Sequence, residues 1–182
     1  MRLEEEEADG VRAVGAGTVE SAAAAAASAA AAQEGAGDMK PRDFLSKLEH
    51  GRVVAAIAEA ERHTSGEIRV FISRLHRPDG IAAAKSRFLK LGMHRKRERN
   101  AVLIYVAPLA QTFGVIGDDA AHERCGGNFW HGVRDAMAAN FKAGHFTEGI
   151  LRAVRLVGEE LRCHFPRQPG DKNERSNDIV TD

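Results

Sequence analysis

The chain has 182 residues, of which 43% are hydrophobic, and this size and composition predict a single domain with one core. Its formal net charge is zero because residues 1–40 hold eight acids against three bases and the rest of the chain carries the opposite surplus. That modest surplus is too small for a dedicated nucleic-acid domain, so a protein is the expected partner.

The sequence predicts neither an export signal nor a membrane span. Four glutamates follow the first residues, where a secretory signal would be basic and then apolar. The alanine-rich run at 22–32 is too short and too weakly hydrophobic for the ~20 residues of a membrane helix. Cys125 and Cys163 form no close pair, which favours reduced thiols and no zinc site. We therefore expect a soluble, cytoplasmic protein.

Three regions differ in composition. Residues 1–40 combine acids, glycines and alanines with almost no large apolar side chains, which predicts a disordered arm. Residues 41–165 are expected to form an α/β domain, and residues 166–182 a polar tail. Translation is expected to begin at Met39. Residues 1–38 and 168–182 are not expected to contribute to stability, because they hold no periodic apolar face.

The first half of the domain predicts a helix, a strand and a second helix. Apolar residues recur at helical spacing from Asp43 to His63, and the Thr-Ser-Gly run at 64–66 supplies a stop. Residues 67–73 then read as a strand. After the turn residues Pro-Asp-Gly at 78–80, an apolar stripe up to Leu91 predicts the crossover helix.

The second half predicts a hairpin followed by three helices. Residues 101–107 form a continuous apolar run, and residues 112–117 follow after a short connection, so we expect two antiparallel strands. A short helix is expected after Asp118, a longer one from Asn128, and a last one capped by Thr147. The sheet is therefore expected to be small and mixed.

A series of short motifs across residues 43–170 carries a family resemblance. The series consists of Glu61-x-x-Thr64-Ser65-Gly66-Glu67-Ile68-x-Val70, Arg99-Asn100-x-Val102-Leu103-Ile104-Tyr105, Gly117-Asp118, Phe129-Trp130, Phe141-x-x-Gly144-x-Phe146-x-x-Gly149-Ile150 and His164-Phe165-Pro166. The chain resembles the TPM domain family, and within it a short, soluble bacterial-type branch. It departs from the family pattern at Ala101, where glycine often follows the asparagine, and at Gln111, where arginine is common.

The resemblance implies a three-layer α/β/α sandwich around a small mixed sheet with a β-hairpin. It also implies divalent-metal binding and phosphatase activity, which have been associated with some members. We expect a binding or adaptor domain that depends on a divalent cation, calcium or magnesium. The alternative is a metal-assisted acid phosphatase that hydrolyses phosphate esters, although the sequence shows no nucleophile signature.

The predicted strand directions bring distant polar residues to one edge of the sheet. The starts of the first two parallel strands, at Glu67 and Asn100, should meet the end of the antiparallel third, at Asp118 and Asp119. Their oxygens are ligands that suit Ca²⁺ or Mg²⁺, so these four residues form the predicted metal site. The preceding loop offers guanidinium groups suited to a phosphate. These are Arg95, Arg97 and Arg99.

Each of these residues also has a structural explanation. Asp118 and Asp119 are well placed to cap a helix, and Glu67 at a strand start is commonly solvated. The basic loop is then a solvated turn without a ligand. His122 and Glu123 are either a general acid and base or surface residues.

Overall fold

The computed structural model describes residues 11–14, 41–169 and 178–182, and the fold within them is a mixed five-stranded sheet. In spatial order the strands are β1, β4, β3, β2 and β5. Their bounds are β1 Val11–Val14, β2 Glu67–Ile72, β3 Ala101–Ala107, β4 Thr112–Asp118 and β5 Val180–Thr181. β2 pairs in parallel with β3 and β5, whereas β4 pairs antiparallel with β3 and β1.

In the described ranges, six α-helices cover the two faces of the sheet. They are α1 Pro41–Lys47, α2 His50–Glu61, α3 Gly80–Lys90, α4 Asp119–Cys125, α5 Gly127–Lys142 and α6 Phe146–His164. Two short 3₁₀ turns, at Met93–Arg95 and Pro108–Ala110, flank β3. The described part of the chain therefore has the three layers expected of an α/β/α sandwich.

The alternation of side chains along the strands produces two separate cores. One face of the sheet, with Val102 and Ile104, packs against α1, α2, α5 and α6 around Trp130. The other face, with Leu103 and Tyr105, packs against Phe88 of α3. β3 is buried along its whole length because it lies between both layers, which explains its continuous apolar sequence.

The central predictions on topology are confirmed. β2 and β3 are parallel and joined through α3, and β3 and β4 form the expected hairpin. Asp79 caps α3, since its side chain accepts the backbone N–H groups of Ile81 and Ala82. No helix in the described ranges has the length and apolarity to cross a membrane.

The single helix predicted from Asp43 to His63 is wrong, because the chain forms two helices there. The break lies at Leu48 and Glu49, between α1 and α2. The backbone N–H of Glu49 donates to the hydroxyl of Thr147 at 3.2 Å instead of continuing the helix. The cap predicted for Thr147 is also wrong, because Thr147 lies inside α6 and its hydroxyl serves Glu49.

Both outer strands come from regions that the composition excluded from the domain. Val11–Val14 of the arm pairs with Val115–Asp118 of β4, and the rest of the arm lies outside the described residues. In the tail, Val180 and Thr181 pair with Phe71 and Ile72 of β2. The tail therefore takes part in the packing of the domain, contrary to the expectation, because Ile179 is buried in the larger core.

Candidate functional site

The ends of three strands bring the predicted polar residues to one edge of the sheet. Glu67 begins β2 and pairs with Ala101, the residue that follows Asn100. Gly117 pairs with Val102, so continuing the antiparallel register by one position sets Asp118 opposite Ala101. Glu67 and Asp118 therefore flank Ala101 on the same side of the sheet, with backbones separated by two strand spacings, roughly 10 Å.

Asp118 is the most buried acid at this edge, with no exposed surface. Its Oδ1 accepts the backbone N–H of Asp119 at 3.0 Å and lies 2.9 Å from Nε of Arg99. Its Oδ2 is buried and has no hydrogen-bond partner among the residues that the structure describes. Burial raises the pKa of Asp118 to about 6, although the Asp119 N–H and the Arg99 charge act in the opposite direction.

Arg99 holds the two aspartates of this edge together. Its Nη2 donates to Oδ2 of Asp119 at 2.8 Å, and its Nη1 donates to the carbonyl of His94 at 2.9 Å. Its backbone lies in the left-handed region, with φ of 51°, so that its carbonyl accepts the N–H groups of Ala120 and Ala121 at the start of α4. This conformation is costly for arginine and indicates that the surrounding contacts fix it.

Asn100 links the acidic edge to the loop before β2. It is fully buried, and its Nδ2 donates to Oε2 of Glu98 at 2.7 Å and to Oγ of Ser65 at 3.1 Å. The hydroxyl of Ser65 also donates to the Glu98 carboxylate, and Nζ of Lys96 donates to the Ser65 carbonyl at 2.6 Å. Oδ1 of Asn100 is buried and finds no partner in the described part of the chain. A second unpartnered oxygen thus lies at the same edge as that of Asp118.

The loop Thr64 to Gly66 has a larger role than the helix stop that its composition predicts. Oγ1 of Thr64 donates to the Phe165 carbonyl at 2.6 Å and accepts the N–H of Gly66 at 3.0 Å. A Cβ at Gly66 would lie 2.8 Å from Leu161 and 3.3 Å from the Asn100 carbonyl, so only glycine fits without displacement. Sequence reasoning missed Ser65 and Glu98, and the Thr-Ser-Gly motif was the available signal.

The remaining predicted residues lie in different surroundings. Glu67 is buried, and its Oε1 accepts Nε of Arg69 at 3.0 Å. Arg95 and Arg97 are exposed, and among the three arginines predicted to bind phosphate only Arg99 contacts the aspartates. Asp118 caps α4 through its contact with the Asp119 N–H, so the capping explanation is correct for that residue.

The oxygen ligands at this edge are of the type that a hard cation prefers. Their arrangement suits such a cation only in part. Two buried oxygens have no partner within residues 11–14, 41–169 and 178–182, and the Asp119 carboxylate, which is paired with Arg99, is a third candidate ligand. Within the part of the chain that the structure describes, no three His, Cys, Asp or Glu side chains are grouped to hold a metal. The guanidinium of Arg99 already supplies positive charge to both aspartates, so a cation at these oxygens requires that it move.

A separate groove of about 580 Å³ lies between α2 and α6 and contains none of these edge residues. Its floor contains Ala60 and Gly158, which are in such close contact that a Cβ on Gly158 would lie 2.6 Å from Cβ of Ala60. Arg52, on its rim, is paired with Glu49 and Glu148. The groove is a consequence of close helix packing with small residues.

The fold and the edge together define a three-layer α/β domain with a buried polar cluster at the strand ends. The sequence matches the TPM domain family over residues 39–160, which is well over half of the chain. The protein belongs to the TPM domain family.

A solved structure supports the assignment. The NMR structure of the BA42 protein from the psychrophilic bacterium Bizionia argentinensis is 33% identical and superposes with a TM-score of 0.68. The match covers 75% of this chain and 96% of BA42. The similarity therefore extends over nearly the whole of BA42. No curated protein matches the sequence.

Proposed function

We propose that this TPM domain is a binding module whose polar edge takes a divalent cation, calcium or magnesium. The observation that carries the proposal is a pair of buried oxygens that have no partner within the described residues, Oδ2 of Asp118 and Oδ1 of Asn100, at one edge of the sheet. Buried polar atoms without partners are rare in folded proteins and require an explanation. A cation bound by these two oxygens and by Asp119 supplies one.

The cation would add what the edge lacks, a compact charge that satisfies several oxygens at once. Carboxylate and amide oxygens are the preferred ligands of Ca²⁺ and Mg²⁺. Asp118 has to be deprotonated to bind, so affinity should rise as the pH passes its pKa of about 6. Arg99 has to release the aspartates before a cation can bind them. Its two ion pairs indicate that positive charge is favourable at this position.

Release of Arg99 provides a link between cation binding and partner binding. Arg99 closes the loop that carries the exposed Arg95 and Arg97, and Lys96 fixes the same loop to Ser65. A change at Arg99 therefore alters how the loop presents its charges. The expected partner is a protein with an acidic surface, because exposed arginines pair with carboxylates.

Metal-assisted phosphate-ester hydrolysis is the second candidate, and one contact favours it. The hydroxyl of Ser65 donates to the carboxylate of Glu98, which is the arrangement of an alcohol beside a base. Asp118, with its raised pKa, would be available as a general acid. The binding module is preferred because the Ser65 and Glu98 pair also has a structural role in holding Asn100.

Calorimetric titration of the full chain with Ca²⁺ and with Mg²⁺ at pH 7.5 tests the proposal. We expect saturable binding that Asp118→Asn weakens at least tenfold. Asp135→Asn is the matched control, since Asp135 is an exposed aspartate on α5 and should leave binding unchanged. Absence of binding in the wild type, or equal binding by both variants, would contradict the cation site.

Hydrolysis of p-nitrophenyl phosphate with and without the cation distinguishes the two candidates. The binding module predicts no turnover above background under conditions that saturate the site. Turnover that Ser65→Ala abolishes would establish the phosphatase alternative. Turnover that survives Ser65→Ala and is lost in Asp118→Asn would assign the chemistry to the cation edge without a serine nucleophile.

A further inference from the structure

The opposite end of β2 holds a second binding arrangement, which is independent of the cation edge. Here residues 178–182 lie beside the outer edge of the sheet, and Val180 and Thr181 pair in parallel with Phe71 and Ile72. Only two residues of the segment form the strand β5. So short a strand needs anchors beyond its backbone pairing.

Side chains anchor this segment in both faces of the sheet. Ile179 is 9% exposed and belongs to the larger core, whereas Val180 packs against the smaller core on the other face. The alternation is that of a strand added to a sheet edge, in which pockets for alternate side chains provide specificity. The sheet edge therefore contacts the side chains of the segment as well as its backbone.

A polar pocket receives the side chain of Asp182. Its Oδ1 accepts the backbone N–H of Arg74 at 2.6 Å, and its Oδ2 accepts the hydroxyl of Ser73 at 2.8 Å. Nη2 of Arg87 lies 3.4 Å from Oδ2, and the Arg87 guanidinium also stacks 4.2 Å from the centre of the Phe71 ring. Ser73 has no exposed surface, and the Asp182 side chain is only 14% exposed. Three donors converge on one carboxylate.

We propose that the outer edge of β2, with Ser73, Arg74 and Arg87, is a recognition site for an extended peptide of the form Ile-Val-x-Asp. The chain's own residues 179–182 occupy this site in the structure, so they compete with a partner that presents the same pattern. The partner is a protein with an exposed, extended acidic segment. The basic side chains Arg74 and Arg87 match the charge of such a segment, and β2 supplies the backbone edge with which residues 180 and 181 now pair and which strand addition uses.

The test measures binding of a labelled peptide to the full chain. The probe is fluorescein joined through a glycine and serine linker to Asp-Ile-Val-Thr-Asp-amide, the sequence of residues 178–182. Wild-type protein should bind it weakly, because a tethered competitor has an effective concentration in the millimolar range. The full-length double variant Ile179→Asp and Asp182→Ala should release the segment and bind the probe at least tenfold more tightly in fluorescence anisotropy.

Two controls identify the pocket. A probe with alanine in place of its final aspartate should bind the released variant at least tenfold more weakly. Adding Arg87→Ala to the released variant should also weaken its binding of the original probe. Equal affinity for the two probes, or no binding by a released variant with an unchanged circular dichroism spectrum, would overturn the proposal.

If the double variant does not fold, the single variant Asp182→Ala tests the recognition site instead. It keeps Ile179 in the core and removes only the carboxylate, so it should bind the probe more tightly than the wild type does. Affinity equal to that of the wild type would refute the site. A wild-type dimer that Asp182→Ala dissociates, without probe binding in either form, would instead make a second copy the occupant and would also overturn the proposal.

Discussion

Arg99 and Asp118 form an ion pair in which Nε lies 2.9 Å from Oδ1, yet burial still raises the pKa of Asp118 to about 6. The cost of removing the carboxylate from water thus exceeds what the guanidinium and the Asp119 N–H return. Either a proton or additional positive charge therefore stabilises the buried Asp118 carboxyl at this edge. That preference is the physical basis for a cation site.

Stability should depend on pH through Asp118. Its folded pKa of about 6 exceeds the reference value of 3.8, so between these pH values the folded state keeps a proton that the unfolded state has lost. This carboxyl therefore lowers stability as pH rises from about 4 to 6, by on the order of 2–3 kcal/mol. Asp118→Asn has no such proton, so its stability relative to wild type should increase over that range. Urea midpoints at pH 4.5 and 7 in the absence of metal measure the difference. A gap between the two proteins that does not change with pH would be inconsistent with a raised pKa.

The left-handed backbone at Arg99 predicts an unusual order for two substitutions. Arg99→Ala and Arg99→Gly lose the same contacts with Asp118, Asp119 and His94. Alanine keeps the strain of a φ of 51°, whereas glycine adopts it freely. The glycine variant should be more stable in urea by a few tenths to about 1 kcal/mol, after its greater unfolded-state entropy is counted. The reverse order would mean that this backbone relaxes once the side chain is removed.

The loop before β2 should not tolerate a methyl group at Gly66. A Cβ there would lie 2.8 Å from Leu161 and 3.3 Å from the Asn100 carbonyl, so Gly66→Ala should destabilise by about 1–3 kcal/mol. Gly132→Ala is the matched control, because Gly132 is exposed in α5 with open space around it. That control should stabilise by up to about 1 kcal/mol through helix propensity. Thermal unfolding of both variants measures the contrast, and equal effects would show that the close contact is easily relieved.

The two cysteines should differ strongly in reactivity. Burial raises the pKa of the Cys125 thiol to about 12, and the nearby Glu160 charge adds to the effect, whereas Cys163 is exposed. Since the thiolate is the nucleophile, iodoacetamide at pH 8 should modify Cys163 rapidly and Cys125 slowly. Mass spectrometry over time reports both rates. Cys163→Ser should remove the fast phase, and a fast phase that remained would be inconsistent with a raised pKa of the half-buried Cys125 thiol.

The topology was predictable because each central strand has a clear local signal. The apolar run of β3 and the short connection at Pro108–Ala110 determine the hairpin, and the crossover rule determines that β2 and β3 are parallel. These directions were sufficient to place Glu67, Asn100 and Asp118 at one edge.

The outer strands and the role of Arg99 were not predictable in the same way. Val11–Val14 and Val180–Thr181 are too short to show a period, and their pairing depends on free edges elsewhere in the sheet. Arg99 was assigned to a phosphate because guanidinium groups pair with any oxyanion. The structure shows that the nearest oxyanions are the aspartates of the same edge, and sequence alone does not rank these partners.

The proposed function depends on the binding of a divalent cation by the deprotonated carboxylate of Asp118. The most direct measurement is the shift in thermal midpoint on adding Ca²⁺, compared at pH 7.5 and pH 5 in the wild type and in Asp118→Asn. A cation at one hundred times its Kd should stabilise the folded wild type by about 2.7 kcal/mol at pH 7.5. The shift should shrink at pH 5, where Asp118 is largely protonated, and in the variant at pH 7.5 it should be at most about half of the wild-type shift. No shift in the wild type, or the same shift in Asp118→Asn, would contradict the claim.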